Sequence, residues 1–202
     1  MILGIYLAII ELSIIFLSGH YYKKISNFRG DIISFYWLYF TFFTGIWEFS
    51  YLLFYNKTCE EANILLESKE HVWGNRYSII NIIPPLFSVI FYSEYGAYAD
   101  REYMLPDNNW SRTIEGTHCI FCGVGALLAL YYIKHKYYFV IFSMLAMSSQ
   151  VMNSILYIVN YFHQTRDPDN PNFNTTQFPT GTILNDRPFM YINILWTIMP
   201  IY

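Results

Sequence analysis

The sequence predicts an all-α fold, a polytopic membrane helix bundle with five transmembrane helices in a single domain over residues 1–202. Only 13% of the residues are charged and 54% are hydrophobic, whereas soluble domains carry about 25% charged residues. The apolar residues form long runs, not the spacing of amphipathic helices around one soluble core. With a net charge of -3 and scattered basic residues, the chain has no cationic face for a phosphate backbone, which excludes nucleic-acid binding.

Residues 1–31 are predicted to form the first helix and a basic loop. The run Ile2–Ser18 follows Met1 with no basic n-region and no small-residue cleavage site. This pattern favours a retained helix over a signal peptide. The second run, Ile32–Tyr55, is long enough to cross a hydrocarbon core of about 30 Å with some tilt, since each residue rises about 1.5 Å.

Residues 56–112 are predicted to form a lumenal loop insertion. Within it, the segment Tyr77–Tyr92 is apolar and aromatic, but Pro84-Pro85 interrupts it. Proline ends or kinks a helix, and the segment is short for a span. We therefore expect a re-entrant or interfacial element there.

Three further helices are predicted after the insertion. The runs Thr113–Ile133 and Tyr137–Phe162 are separated only by residues 134–136, which predicts an antiparallel hairpin. A last helix is expected to begin near Arg187 and Pro188 and to run to the end of the chain.

The short loops predict the orientation, because Lys and Arg are retained on the cytoplasmic side of a membrane. Two short loops of the bundle carry basic residues, namely Lys23, Lys24, Arg29, Lys134 and Lys136. Both loops fall on one side of a bundle of five helices. The N-terminus and the longer loops are therefore predicted to be lumenal.

Ionisable residues inside the apolar runs predict a buried site for an apolar ligand or substrate. A charged side chain at the bilayer centre costs about 2.5–3.5 kcal/mol on insertion scales, so it usually faces a cavity or a partner. Glu48 lies in the second run and Glu115 near the start of the third. Thr44 lies one turn before Glu48, and His118 shares the helix face of Glu115. Two helices can thus present a carboxyl each, with a hydroxyl and an imidazole close by.

A polar stripe along the fourth run is expected to face the bundle interior. Its members are spaced by three and four residues, and they are Gln150, Asn153, Tyr157 and Asn160. In the last run, Asn193 and Trp196 project to one side. These groups could converge with the carboxyls on one pocket, or they could only tie helices together by hydrogen bonds. Glu11 is interpreted as structural, facing a headgroup or a neighbouring helix.

No metal or cofactor site is predicted. Cys119 and Cys122 have the spacing of a redox or metal pair, but they lie inside an apolar run and no second cysteine pair exists. They are interpreted as packing residues.

Five short motifs occur in order along the chain. They read Trp47-Glu48, Asp100-Arg101-Glu102-Tyr103, Glu115-Gly116-Thr117-His118, Gln150 and Asn193-Ile194-Leu195-Trp196. In this order and helix placement, residues 32–202 resemble the emopamil-binding protein family, the EXPERA-domain fold, which includes sterol delta-8 to delta-7 isomerases and the sigma-2 receptor. Ile2–Ser18 takes the place of the extra first helix of the isomerases.

The resemblance implies five helices in the endoplasmic reticulum membrane, a cavity that opens to lipid, chemistry without a cofactor, and often a dimer. By analogy, Glu48 and Glu115 would share the acid and base roles in shifting a ring double bond of a sterol. Trp196 would face the carbocation, and Asn193 would orient a carboxyl or the ligand. The predicted catalytic residues are Glu48, Glu115 and His118, and the predicted substrate-binding residues are Thr44, Asn193, Trp196, Gln150 and Tyr103.

Departures from the isomerase pattern leave other functions open. The isomerases carry His one turn before the first Glu and Thr three residues after the second, whereas this chain has Thr44 and His118 there. Ser154 stands in place of their fourth-helix Asp. The leading hypothesis is a sterol isomerase-like enzyme. The alternatives are a non-catalytic sterol- or lipid-binding protein and a structural subunit of a larger membrane complex.

Overall fold

The computed structural model describes residues 1–99, Met104, 110–164 and 189–202. Within these residues, seven α-helices can be delimited, together with a short 3-10 helix and a pair of two-residue strands. In chain order the elements are β1 (Ile2–Leu3), α1 (Gly4–Ser26), α2 (Ile32–Leu53), α3 (Tyr55–Ser68), β2 (Arg76–Tyr77), the 3-10 helix (Ile79–Ile82), α4 (Pro84–Tyr98), α5 (Trp110–Tyr131), α6 (Lys136–Gln164) and α7 (Phe189–Ile201).

Three helices are long and apolar enough to cross a membrane: α1, and the parts Arg112–Tyr131 of α5 and Lys136–Val159 of α6. They support the prediction of an all-α membrane protein. α2 has 22 residues, but its Tyr, Trp and Glu side chains lower its mean hydropathy. α7 has 13 residues, which is about 20 Å at 1.5 Å per residue. The count of five spans therefore stays a prediction.

α2 lies at the centre of the bundle and packs against α1, α4 and α5. α5 packs in turn on α6, and α6 on α7. Glycine sets the distance between α2 and α5, because a side-chain carbon added at Gly45 would lie only 2.6 Å from the Cα atom of Gly123. Since Glu48 lies three residues after Gly45, this backbone contact brings the carboxyl of α2 close to α5.

The two basic loops lie at one end of the bundle. The Tyr22 hydroxyl donates a 2.7 Å hydrogen bond to the Leu130 carbonyl, and the rings of Phe28 and Phe139 are 5.7 Å apart. At the other end, β1 pairs antiparallel with β2, so the N-terminus lies beside residues 71–77. This arrangement is the one that the predicted orientation requires. The compartment on each side stays a prediction.

Residues 56–112 were predicted to form a loop insertion, but this part of the chain contains most of α3 and all of α4. α3 buries Thr58, Ala62 and Leu65, the i, i+4, i+7 positions of one face. Its remaining positions are mostly polar, so the segment lacks the long apolar run that marks a membrane helix.

The prolines of the Tyr77–Tyr92 segment begin a helix. Pro84 and Pro85 occupy the first turn of α4, where proline lacks a backbone N–H that would be unpaired in any residue. The segment is therefore divided between the end of β2, the 3-10 helix and the start of α4. α4 has 15 residues, about 22 Å, so it is shorter than a typical span.

Candidate functional site

A cavity of about 320 Å³ lies inside the bundle. The helices α1, α2, α4, α5, α6 and α7 contribute to its wall, together with Trp73 and Met104. Most lining side chains are apolar or aromatic. Apart from the tyrosines, the polar ones are Thr44, Glu48, Glu115, Asn153, Ser154 and Asn193. The cavity is thus an apolar chamber with a small polar part.

The structure brings many of the predicted site residues to this cavity. Those that line it are Thr44, Glu48, Glu115, Asn193 and Trp196. Helical spacing explains the pairs, since residues three or four apart lie on one face of a helix. His118 and Gln150 lie behind the wall, and Tyr103 lies outside the described residues.

Glu48 is buried, and the hydrogen bonding of its carboxyl is incomplete within the described part of the chain. The residue is 8% exposed, and its Oε2 atom has no hydrogen-bond partner among the described residues. The His118 Nε2 atom is 3.6 Å from Oε2, which is too long for a hydrogen bond. An unpaired buried polar atom is costly. Glu48 can therefore accept a proton or a donor group from a ligand.

His118 is placed as a neighbour of Glu48, and it does not contact the cavity directly. It is 5% exposed, and its Nδ1 atom lies 3.2 Å from the Ser149 hydroxyl. The imidazole thus links the carboxyl on α2 to a hydroxyl on α6. His118 thus lies behind Glu48, and its catalytic role stays a prediction.

Glu115 faces the polar stripe of α6. The Asn153 amide donates to Glu115 Oε1 at 3.5 Å, while the buried Asn153 Oδ1 atom has no partner in the described part of the chain. Glu48 and Glu115 both line the cavity. The two carboxyls therefore face one chamber.

Gln150 belongs to the packing of the site and does not line the cavity. Its Oε1 atom accepts a 2.9 Å hydrogen bond from Trp37 Nε1, and its side chain is fully buried. The Trp37 ring packs edge-on against Trp196 with centroids 4.8 Å apart. Gln150 supports Trp196 through Trp37, and its role in substrate binding stays a prediction. Asn160, the last member of the stripe, has a side chain outside the described part.

Aromatic rings form much of the remaining wall. Phe40 packs edge-on against Trp47, with centroids 6.0 Å apart, and against Trp196, with centroids 5.6 Å apart. Edge-to-face pairs are a favoured arrangement of aromatic rings. The faces of such rings attract cations, so this wall could stabilise positive charge on a ligand.

Some lining residues were missed at the sequence level. Trp47 and Phe40 are on the Thr44 face of α2, and their spacing of three and four residues was a usable signal. Phe87 and Phe91 of α4 are four apart, but α4 was hidden in the predicted insertion. Trp73 lies between α3 and β2, where no periodicity marks an inward-facing residue.

Comparisons of the chain with models of protein families, with curated proteins and with solved structures find no match. The resemblance to the emopamil-binding protein family therefore rests on the motifs alone.

Proposed function

We propose that the protein is a sterol isomerase-like membrane enzyme that shifts a ring double bond by adding one proton and removing another. The observation that carries the proposal is the presence of Glu48 and Glu115, from separate helices, in one apolar chamber. Two carboxyls in apolar helices, Glu48 buried and Glu115 partly buried, are more than helix association requires, since each is costly at bilayer depth. A membrane-soluble substrate suits a cavity whose wall is mostly apolar.

The chemistry can be written with these groups. A protonated carboxyl donates its proton to one alkene carbon, which leaves a carbocation on the other. The second, ionised carboxyl removes a proton from a carbon adjacent to the cation, and that C–H electron pair forms the new double bond. Product and substrate are isomers, so the reaction consumes no co-reactant. Each turnover leaves the proton on the other carboxyl, and its return resets the site.

The surroundings of the carboxyls fit this sequence of steps. Nearby carboxyls in an apolar chamber favour one protonated and one ionised group. Trp196 and Trp47 line the cavity, and aromatic rings attract a cation through their faces. His118, 3.6 Å from Glu48, is placed to help return the proton between turnovers.

The route to the cavity is proposed to run through the bilayer. Leu12 of α1 and Ile192 of α7 both line the cavity, and they are 38% and 58% exposed. An apolar ligand could therefore enter between these helices from the lipid phase. Residence in the endoplasmic reticulum, a lumenal N-terminus and assembly as a dimer or larger complex belong to the same proposal.

The test is sterol profiling in a host cell that lacks its own sterol delta-8 isomerase. Expression of the wild-type chain is expected to restore delta-7 sterols. Glu115→Gln should lower product by about 100-fold, the lower range for loss of a general acid or base. Glu61→Gln is the matched control, because Glu61 is exposed on α3 and should behave as the wild type. Absence of product from a well-expressed wild type would overturn the proposed activity.

A non-catalytic sterol- or lipid-binding protein is the second candidate. Thr44 favours it, because it stands where the isomerases carry histidine and its hydroxyl is already engaged with the Thr41 carbonyl at 3.0 Å. This candidate predicts saturable binding of the fluorescent sterol dehydroergosterol without turnover. Purification as a stable complex with other chains, with acyl chains in the cavity, would instead favour a structural subunit.

A further inference from the structure

A third glutamate reaches the cavity wall from α1. Glu11 is 2% exposed, and it lies between Ala8 and Leu12, which both line the cavity. Its Oε1 atom accepts a 3.2 Å hydrogen bond from Trp47 Nε1. A neighbouring helix is thus the partner of Glu11, one of the two environments expected for it.

Trp47 is a lining residue next to Glu48 in the chain. Its ring packs against Phe87, with centroids 5.5 Å apart, and against Phe91, with centroids 5.9 Å apart. The indole has one polar atom, the Nε1–H donor. The hydrogen bond to Glu11 therefore fixes the polar edge of a ring that packs against two phenylalanines.

We propose that Glu11 is a positioning residue of the site, which holds the Trp47 ring in the orientation that forms the wall beside Glu48. This inference rests on the proposed function and adds a role for α1 to it. A carboxyl is a costly group at bilayer depth, and an apolar side chain would pack α1 against α2 without that cost. A fixed ring loses little freedom when a ligand binds, which favours affinity.

A simple tie between two helices is the competing explanation, and the chain contains a matched control for it. The Tyr39 hydroxyl of α2 donates to the Ser18 hydroxyl of α1 at 3.0 Å. Neither Tyr39 nor Ser18 lines the cavity. The two hydrogen bonds join the same pair of helices, but only the one from Trp47 involves the cavity wall.

The first test measures binding of dehydroergosterol by energy transfer from tryptophan to the sterol, in purified wild type, Glu11→Leu, Glu11→Gln and Tyr39→Phe. Glu11→Leu should raise Kd about tenfold, the size expected for loss of a hydrogen bond to a carboxyl. Glu11→Gln keeps an acceptor oxygen and should stay within about twofold of wild type. Tyr39→Phe should bind as the wild type. Equal weakening in Glu11→Leu and Tyr39→Phe, or none in Glu11→Leu, would overturn the inference.

The second test reports on the ring without any ligand. Protein labelled with 5-fluorotryptophan gives a ¹⁹F resonance for each of its 5 tryptophans, and Trp47→Phe identifies the signal of Trp47 by its loss. Glu11→Leu should shift or broaden the Trp47 signal more than the other signals, and Tyr39→Phe should not. If the wild type binds no sterol, the proposed function fails while this signal still decides the role of Glu11. An unchanged Trp47 signal in Glu11→Leu would overturn that role.

Discussion

Two buried glutamates on neighbouring helices, Glu48 on α2 and Glu94 on α4, have the same exposure and opposite surroundings. Each is 8% exposed. Both oxygens of Glu94 are engaged, one 2.6 Å from His71 Nδ1 and one accepting from the Val72 backbone N–H at 3.0 Å. Glu48 has an oxygen with no hydrogen-bond partner among the described residues.

The difference separates a structural acid from a candidate functional one. Glu94 holds His71 and the backbone of Val72, and the adjacent Trp73 lines the cavity. A satisfied buried carboxyl stabilises the fold, whereas an unsatisfied one weakens it and persists where function requires it. Exposure alone would not distinguish Glu48 from Glu94, but their hydrogen bonds do.

The largest effect is expected from separating α2 and α5, which removes the environment of Glu48. Gly45→Leu would place a side chain where the backbone of Gly123 lies, 2.6 Å from the first added carbon. Overpacking of a core costs about 1–3 kcal/mol or more, and backbone atoms on both helices would have to move. We expect a large fall in the Tm of the purified protein and loss of sterol binding.

Gly74→Ala is the control for this substitution. The nearest atom to an added carbon at Gly74 is the His71 carbonyl oxygen at 3.8 Å, an ordinary contact. Its Tm should match that of the wild type. A Gly45→Leu protein that melts with the wild type would contradict the close packing of α2 and α5.

The second prediction concerns Glu48, whose replacement should affect turnover and leave stability unchanged. Glu48→Gln should lower turnover by about 100-fold, since a glutamine cannot exchange a proton as an acid or base. Stability should not fall, because Oε2 of Glu48 has no hydrogen bond to lose among the described residues. Product formation and Tm are measured on the same preparation. A variant that keeps full turnover would remove Glu48 from the proposed chemistry.

The third prediction concerns Glu94, where the effects should be reversed. Glu94→Gln keeps one acceptor oxygen, but it turns an N–H group toward His71 or the Val72 amide. Leaving a buried donor unpaired costs about 1–3 kcal/mol, so the Tm should fall while turnover is largely retained. Equal losses of turnover in Glu94→Gln and Glu48→Gln would show that the two acids are not functionally distinct.

The carboxyl side of the site could be predicted from the sequence far better than its α4 side. An acid inside an apolar run is a strong local signal, and α2 was placed as Ile32–Tyr55 against the observed Ile32–Leu53. Gln150 shows the limit of this reasoning. Helical spacing predicted which face of the helix Gln150 lies on. Its hydrogen bond with Trp37 joins two helices, so this contact depends on how the helices pack.

The α4 side of the site could not be predicted, because no local pattern in the sequence indicates it. α3 is polar on most of its surface, so its hydropathy is that of a loop. Pro84-Pro85 was interpreted as an interruption of a helix, although the two prolines begin α4. Trp73 faces inward because Glu94 holds the backbone of Val72. Contacts of this kind, between a loop and a helix, follow only from the tertiary structure.

The smallest expected effect is a pH dependence in the segment that Glu94 holds. Tyr77 pairs with Ile2 across β1 and β2. Burial raises the pKa of Tyr77 from 10.0 to about 12, and the charges of Glu61, Glu94 and Glu70 also raise it. The folded state therefore favours the neutral phenol. Its contribution to stability is complete below about pH 10, the ordinary pKa of tyrosine, and is lost as the pH rises toward 12.

Tyr77→Phe removes this ionisation while keeping the ring. Raising the pH from about 9 to about 11 should lower the Tm of the wild type more than that of Tyr77→Phe, since only the wild type can ionise at this position. Other tyrosines, such as Tyr98, ionise in both proteins and cancel in the difference. Identical pH profiles would mean that Tyr77 is not buried by the β1–β2 pairing. A difference would show that the β1–β2 pairing, which connects residues 71–77 to the N-terminus, depends on a neutral Tyr77. Sterol binding measured across the same pH range would then show whether loss of this pairing changes access to Glu48.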